Sequence, residues 1–197
     1  MQIREQPLET SCFYHIYNRG INGQPIFLKA EHFEFFLHKA KQYLVPYFEV
    51  YAYCLMSNHF HFLIRTKELS HNATPNLCGK TNGLHSNGHV YSKQIGKLIS
   101  SYTQALNKME HRHGPLLESP FKRLKIETES YLRNLIIYIH QNPLDIGISV
   151  SNYEYSSYKA IVSDRNTALE RTEVISYFDD VENFKFCHRN RVDLEDL

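Results

Sequence analysis

Two histidines set two residues apart offer the first chemistry. They stand in Asn58-His59-Phe60-His61, within the apolar and aromatic run from Tyr53 to Ile64. The last part of that run alternates, and a strand sends residues i and i+2 to the same side. His59 and His61 then point together, while Phe60 and Phe62 point into a core. Two imidazoles on one rigid strand can share a cation, and each keeps a second ring nitrogen for an orienting hydrogen bond. The plainer alternative is a histidine pair on the wet face of a half-buried strand. A tyrosine adds a second chemistry. Tyr102 stands in Ser100-Ser101-Tyr102-Thr103-Gln104-Ala105-Leu106-Asn107, and a tyrosine oxygen can act as a covalent nucleophile. With a free pKa of about 10 it needs a polarised electrophile or a local base. Its spacing with Leu98, Ile99, Leu106 and Met109 equally fits the apolar stripe of a buried helix.

The elements that must position these groups follow from periodicity and punctuation. Cys12 to Asn18 is rich in aromatics and predicts a strand, followed by a turn through Gly20, Asn22, Gly23 and Pro25. Phe33, Phe36, Leu37, Ala40 and Leu44 recur at helical spacing, and Pro46 stops that helix. Tyr47 to Met56 and His59 to Arg65 predict two strands joined at Ser57-Asn58. Thr66 to Tyr91 is polar and aperiodic, which predicts a long mobile loop. Ser92 to Glu110 carries a helical stripe, and His113-Gly114-Pro115 ends it. Phe121 to Thr128 predicts a short basic strand. Thr128-Glu129-Ser130 caps a helix from Tyr131 to His140 that Asn142-Pro143 ends. The first six elements give the split β-α-β order of a ferredoxin-like α+β fold with an antiparallel sheet. Residues 1–160 would form that domain. Residues 161–197 would add a helical C-terminal extension with Val174, Ile175, Phe178 and Val181 as its apolar positions.

Composition narrows the classes. The chain has 197 residues, enough for one sizeable core, and 42% of them are hydrophobic. No run approaches the ~18 apolar residues of a membrane span. The first residues lack the apolar stretch of a signal peptide, so the expected location is the cytoplasm. The four cysteines, Cys12, Cys54, Cys78 and Cys187, are scattered and form no C-x-x-C pair, against a disulfide framework. A formal net charge of +1 neither demands nor excludes nucleic acid, so distribution matters more than the sum. Lys122, Arg123 and Lys125 cluster on the predicted basic strand, where they suit phosphates. Phe13, Tyr14 and Tyr17 suit base stacking or an ordinary core. His15, His111, His113 and His140 lack ligand spacing and read as structural or phosphate-adjacent.

Taken together, four stretches resemble the HUH single-strand DNA transposases, and among them the REP-associated tyrosine transposases. Phe13-Tyr14-His15-Ile16-Tyr17-Asn18-Arg19-Gly20 is similar to that family's opening strand, and Tyr53 to Leu63 to its metal strand. Ser101-Tyr102 to Asn107, followed by Gly114-Pro115-Leu116 and Phe121-Lys122-Arg123, resembles its tyrosine helix and basic strand. Tyr138-Ile139-His140-Gln141-Asn142-Pro143 with Gly147 resembles its closing helix.

The resemblance implies that His59 and His61 hold one Mg²⁺ or Mn²⁺. It implies a third ligand from the tyrosine helix, with Asn107 the matching position. Gln104 is the fallback, because Asn107 lies about 140° around a helix from Tyr102. Tyr102 would attack phosphorus in single-stranded DNA that carries a hairpin. A 5′-phosphotyrosine and a free 3′-hydroxyl would result, and the stored ester would allow rejoining without ATP. The chain would work as a homodimer, in which relatives let one chain's tyrosine serve the other chain's histidines. Two other classes stay open on the residues alone. One is a nucleic-acid-binding module with no nucleophile. The other is a metal phosphoesterase using water, with Tyr102 as packing.

Overall fold

A computed structural model describes residues 7–69 and 87–192 of the chain. Strand β1 runs Phe13–Arg19, helix α1 Ala30–Tyr43, strand β2 Phe48–Met56 and strand β3 His59–Thr66. Helix α2 runs Asn87–Met109, strand β4 Lys122–Ile126 and helix α3 Glu129–Gln141. A 3-10 turn over Asn142–Ile146 prolongs α3. Three short helices follow, α4 at Tyr158–Val162, α5 at Arg171–Ser176 and α6 at Val181–Cys187. The sheet order is β2-β3-β1-β4, with every pairing antiparallel. This is the expected ferredoxin-like arrangement.

The period of two in the strands divides the interior into two cores. On one face, Phe60, Phe62 and Ile64 of β3 pack with Tyr14 and Ile16 of β1, Phe33, Phe36 and Ala40 of α1, and Ile95, Leu98 and Leu106 of α2. On the other, Leu63 of β3 and Ile126 of β4 pack with Leu132, Leu135, Ile136 and Ile139 of α3. The tail is built into this second core through Val174, Phe178 and Phe184. Tail residues also cover the edge of β2, where Leu55 N–H donates to the Tyr155 carbonyl and Glu170 N–H to that of Val50. Thr128 caps α3 as expected, its side chain accepting from Tyr131 N–H at 3.2 Å.

Most of the expected loop between β3 and α2, residues 70–86, lies outside the described residues. Its last residues are helical: α2 begins at Asn87 rather than Ser92. Val90 and Tyr91 continue the buried stripe, and the Tyr91 hydroxyl donates to the Lys67 carbonyl, which repays ordering the extra turn. At the end of β1, Gly20 N–H donates to Asn58 O at 2.8 Å, and a Cβ at Gly20 would lie 2.0 Å from the Gln24 carbonyl oxygen. Only glycine fits this crossing, which fixes the turn before the histidines.

Tyr102 is fully buried in the first core, against Phe27, Phe35 and Phe36. Its hydroxyl donates to the Ile26 carbonyl at 2.5 Å, and burial pushes its pKa well above 10. Tyr102→Phe should therefore cost about 1 kcal/mol, the worth of one buried hydrogen bond, in urea unfolding. A loss several times larger would contradict this packing role.

Five histidines among the described residues are buried: His15, His32, His61, His140 and His188. The last two bond each other, His140 Nδ1 to His188 Nε2 at 2.9 Å, and tie α6 to α3. Burial holds His188 down at about 4, with its hydrogen bond to Phe184 O opposing. A histidine kept neutral in the fold but titrating near 6.5 when unfolded contributes stability that is complete above that value. The contribution is lost as pH falls toward 4, because the unfolded chain binds the proton first. His188→Gln should flatten the fall in unfolding free energy between pH 7 and pH 4 by about 3 kcal/mol. An unchanged slope would show that His188 is not held neutral.

Candidate active site

The site is built on the sheet face that α3 covers. His59 and His61 alternate with Phe60 and Phe62, and so turn away from α1 and α2. His61 meets the ring of Tyr138 edge to face, with centroids 5.8 Å apart. His59 Nε2 lies 3.1 Å from Asn142 Oδ1. Tyr138 and Asn142 are one helical turn apart, so both fall on the side of α3 and its 3-10 extension that faces β3. β1 contributes from the neighbouring register, where Tyr17 pairs with His61. His15 Nε2 lies 2.8 Å from His61 Nδ1. The rings of His15, Tyr17 and His61 form a near-parallel cluster, with the His15 centre 4.6 Å from that of Tyr17 and 5.0 Å from that of His61.

The electrostatics follow from burial. Burial lowers His15 to about 3. His61 is driven well below its ordinary value, by burial first and then by the neighbouring His15 and His59. Burial also lowers His59, against an upward pull from Asn142 and Asp145. All three imidazoles are neutral at pH 7, the form in which a ring nitrogen can be a ligand.

The donor set of His59 is short by one hydrogen. Its Nδ1 faces Asn58 Oδ1 at 2.7 Å, and its Nε2 faces Asn142 Oδ1. Both amides are oriented by their other ends. Asn142 Nδ2 donates to the carbonyls of Tyr138 at 2.9 Å and Ile139 at 3.3 Å, and Asn58 Nδ2 donates to Gly23 O at 3.3 Å. A neutral imidazole has only one N–H. If Asn58 takes it, the lone pairs of His59 Nε2 and Asn142 Oδ1 face each other, an arrangement that a cation relieves. The residues therefore fit a divalent ion. Among the described residues no three His, Cys, Asp or Glu side chains gather to hold a metal. The fit depends on an amide oxygen as third donor.

The other sequence candidates are placed elsewhere. Tyr102 is on α2, beneath the opposite face of the sheet, and does not reach the histidines. A ferredoxin-like sheet carries α1 and α2 on one face, and the β3 histidines face the other. Asn107 shares that displacement: its Nδ2 donates to Gly114 O at 2.8 Å, holding the end of α2. Gln104 is exposed and bonds Ser100. The basic cluster divides by the same alternation. Lys122 reaches the histidine side, with Nζ 5.7 Å from the Tyr17 ring centre. Arg123 points to α2, donating to Ser92 Oγ at 2.8 Å, and Lys125 pairs with Glu9 at 2.9 Å. The sequence alone assigns no site role to Tyr138, Asn142 or Asn58, and His15 reads there as structural or phosphate-adjacent. The signal for the first two was available: Tyr138 and Asn142 are four residues apart in a helix, about 40° around its axis.

No family model matches the chain, and no curated protein matches it. Among solved structures, a REP-associated tyrosine transposase bound to a REP hairpin is similar with a TM-score of 0.62 and 16% identity, covering 83% of this chain and 87% of that one. A bacterial tRNA(His) guanylyltransferase-like protein in complex with ATP aligns at a TM-score of 0.41 and 11% identity, covering 98% of this chain and 76% of that one, too low to carry an argument. No helix among the described residues is long and apolar enough to cross a membrane. The chain thus has the α+β fold of a REP-associated tyrosine transposase, the kind of protein its motifs resemble.

Proposed function

We propose that the chain cleaves and rejoins single-stranded DNA, with Tyr138 as nucleophile and His59, His61 and Asn142 as holders of one Mg²⁺ or Mn²⁺. The observation that carries this is the convergence of a tyrosine, two neutral imidazoles and an oriented amide oxygen on one sheet face. The hydroxyl oxygen of Tyr138 attacks the phosphorus of a phosphodiester. The new tyrosyl P–O bond forms as the bond to the 3′-oxygen breaks. The phenolic proton leaves, the 3′-oxygen takes one up, and the 5′ end stays on the protein as a phosphotyrosine. The reverse attack by a 3′-hydroxyl rejoins DNA without ATP, because the ester keeps the bond energy. A cation bound there would neutralise phosphate charge and steady the leaving oxygen. Lys122, at the rim beside Tyr17, draws in the phosphate. Hairpin-bearing DNA is the proposed substrate, since the similar structure is one bound to a REP hairpin.

Tyr138 and His61 belong to one chain and already touch. A homodimer, if it forms, has no need to exchange tyrosines.

Tyr138→Phe should remove the covalent adduct with labelled hairpin DNA on denaturing gels, whereas Tyr102→Phe should keep it. An adduct surviving Tyr138→Phe would overturn the assignment, and metal-dependent cleavage without any adduct would favour a water-using phosphoesterase. In calorimetry, Mn²⁺ affinity should fall at least about tenfold in His59→Ala, His61→Ala and Asn142→Ala and stay unchanged in Asn107→Ala. Equal affinity in all four would remove the metal site. Mixing Tyr138→Phe with His61→Ala protein should not restore cleavage. Restored activity would mean that the tyrosine works in the partner's site.

A further inference from the structure

We infer that His15 is a positioning residue that selects the tautomer of His61, holding its proton on Nδ1 so that the Nε2 lone pair faces the site. The inference rests on the metal-site reading above for its consequence, but not for its geometry. His15 sits on β1, not on the histidine strand, and its Nε2 is 2.8 Å from His61 Nδ1. Both rings are buried, at 5% and 7% exposure, so water does not supply alternative partners freely. Two neutral imidazoles sharing one hydrogen bond have two arrangements, and they are not equivalent for chemistry. If His15 donated, His61 would carry its own proton on Nε2. Its Nδ1 would be consumed by His15, and neither nitrogen could be a ligand. If His61 donates from Nδ1, Nε2 keeps its lone pair and His15 carries its proton on Nδ1. Only the second arrangement makes a ligand.

The surroundings fix the ring as well as the proton. The His15 ring lies nearly parallel to the rings of both Tyr17 and His61, with interplanar angles of 26° and 23°. Tyr17 also stacks on His61 at 5.7 Å. His61 therefore cannot swing without breaking a three-ring pack, and its edge contact to Tyr138 keeps the nucleophile in register with it. A partner that orients a ligand in this way typically changes metal affinity 10–100-fold when removed.

Long-range nitrogen NMR of histidine-labelled, metal-free protein at pH 7.5 reads the tautomer directly. Wild type should show His61 as the Nδ1–H form. His15→Phe keeps a stacking ring and removes the acceptor, so His61 should become a tautomer mixture. Mn²⁺ affinity should then drop about 10–100-fold with thermal unfolding little changed. His15→Gln places an amide oxygen where Nε2 was and should restore both the tautomer and the affinity. It keeps the test intact if the phenylalanine variant misfolds. An Nε2–H form in wild type, or an unchanged tautomer in a folded His15→Phe, overturns the inference. A tautomer that shifts as stated in a protein that binds no Mn²⁺ supports the role of His15 and instead removes the metal-site reading.

Discussion

Everything at the site depends on the two-residue alternation of β3 in a sheet covered on both faces. Phe60 and Phe62 must be buried under α1 and α2, so His59 and His61 are forced to the opposite face. That face is also closed, by α3 and the tail. The histidines are thus pressed into a low-dielectric space where a charged imidazole is costly, and burial drives them neutral. A one-residue slip in register would exchange every one of these neighbours. The bond from Gly20 to Asn58, at a crossing where no side chain fits, guards against that slip at the point where β3 begins.

Neutral imidazoles in such a space need partners for their remaining nitrogens, and the sheet provides them from two directions. Along the chain, Asn58 takes one nitrogen of His59. Across the sheet, His15 takes one nitrogen of His61. From above, α3 brings Asn142 to the other nitrogen of His59. The end of α3 is itself held from behind. His140 bonds His188 and Ser157, and Gln141 Nε2 donates to the Asn190 carbonyl at 2.7 Å. The tail is therefore more than an appended piece, since it fixes the end of the helix that carries Tyr138 and Asn142.

The element order, the antiparallel sheet and the pairing of His59 with His61 were legible because they rest on short periods and on Gly and Pro punctuation. The face that each helix covers was not. The stripe Ile95, Leu98, Tyr102 and Leu106 and the stripe Leu132, Leu135, Ile136 and Ile139 are both amphipathic, and neither says which side of the sheet it meets. Only the family resemblance marks Tyr102 as the nucleophile; its spacing fits a buried stripe equally well, and tertiary packing puts it in the first core. Helix geometry alone separated the two tyrosines: Tyr102 and Asn107 diverge by about 140°, and Tyr138 and Asn142 by about 40°. The strand period likewise implied that Lys122 and Arg123 could not both serve the histidine face. His15 was hidden for another reason. Its role depends on the register of β1 against β3, which no local pattern encodes.

The central claim is that the tyrosine over the histidines, and not the one in the opposite core, takes up the phosphate. The most direct measurement is to trap wild-type protein on single-stranded hairpin DNA, digest protein and DNA, and locate the nucleotide-bearing peptide by mass spectrometry. The account predicts a phosphotyrosine link at Tyr138, in the peptide that runs into Gln141-Asn142-Pro143. A nucleotide on Tyr102, or on any residue from the α2 face of the sheet, would contradict it.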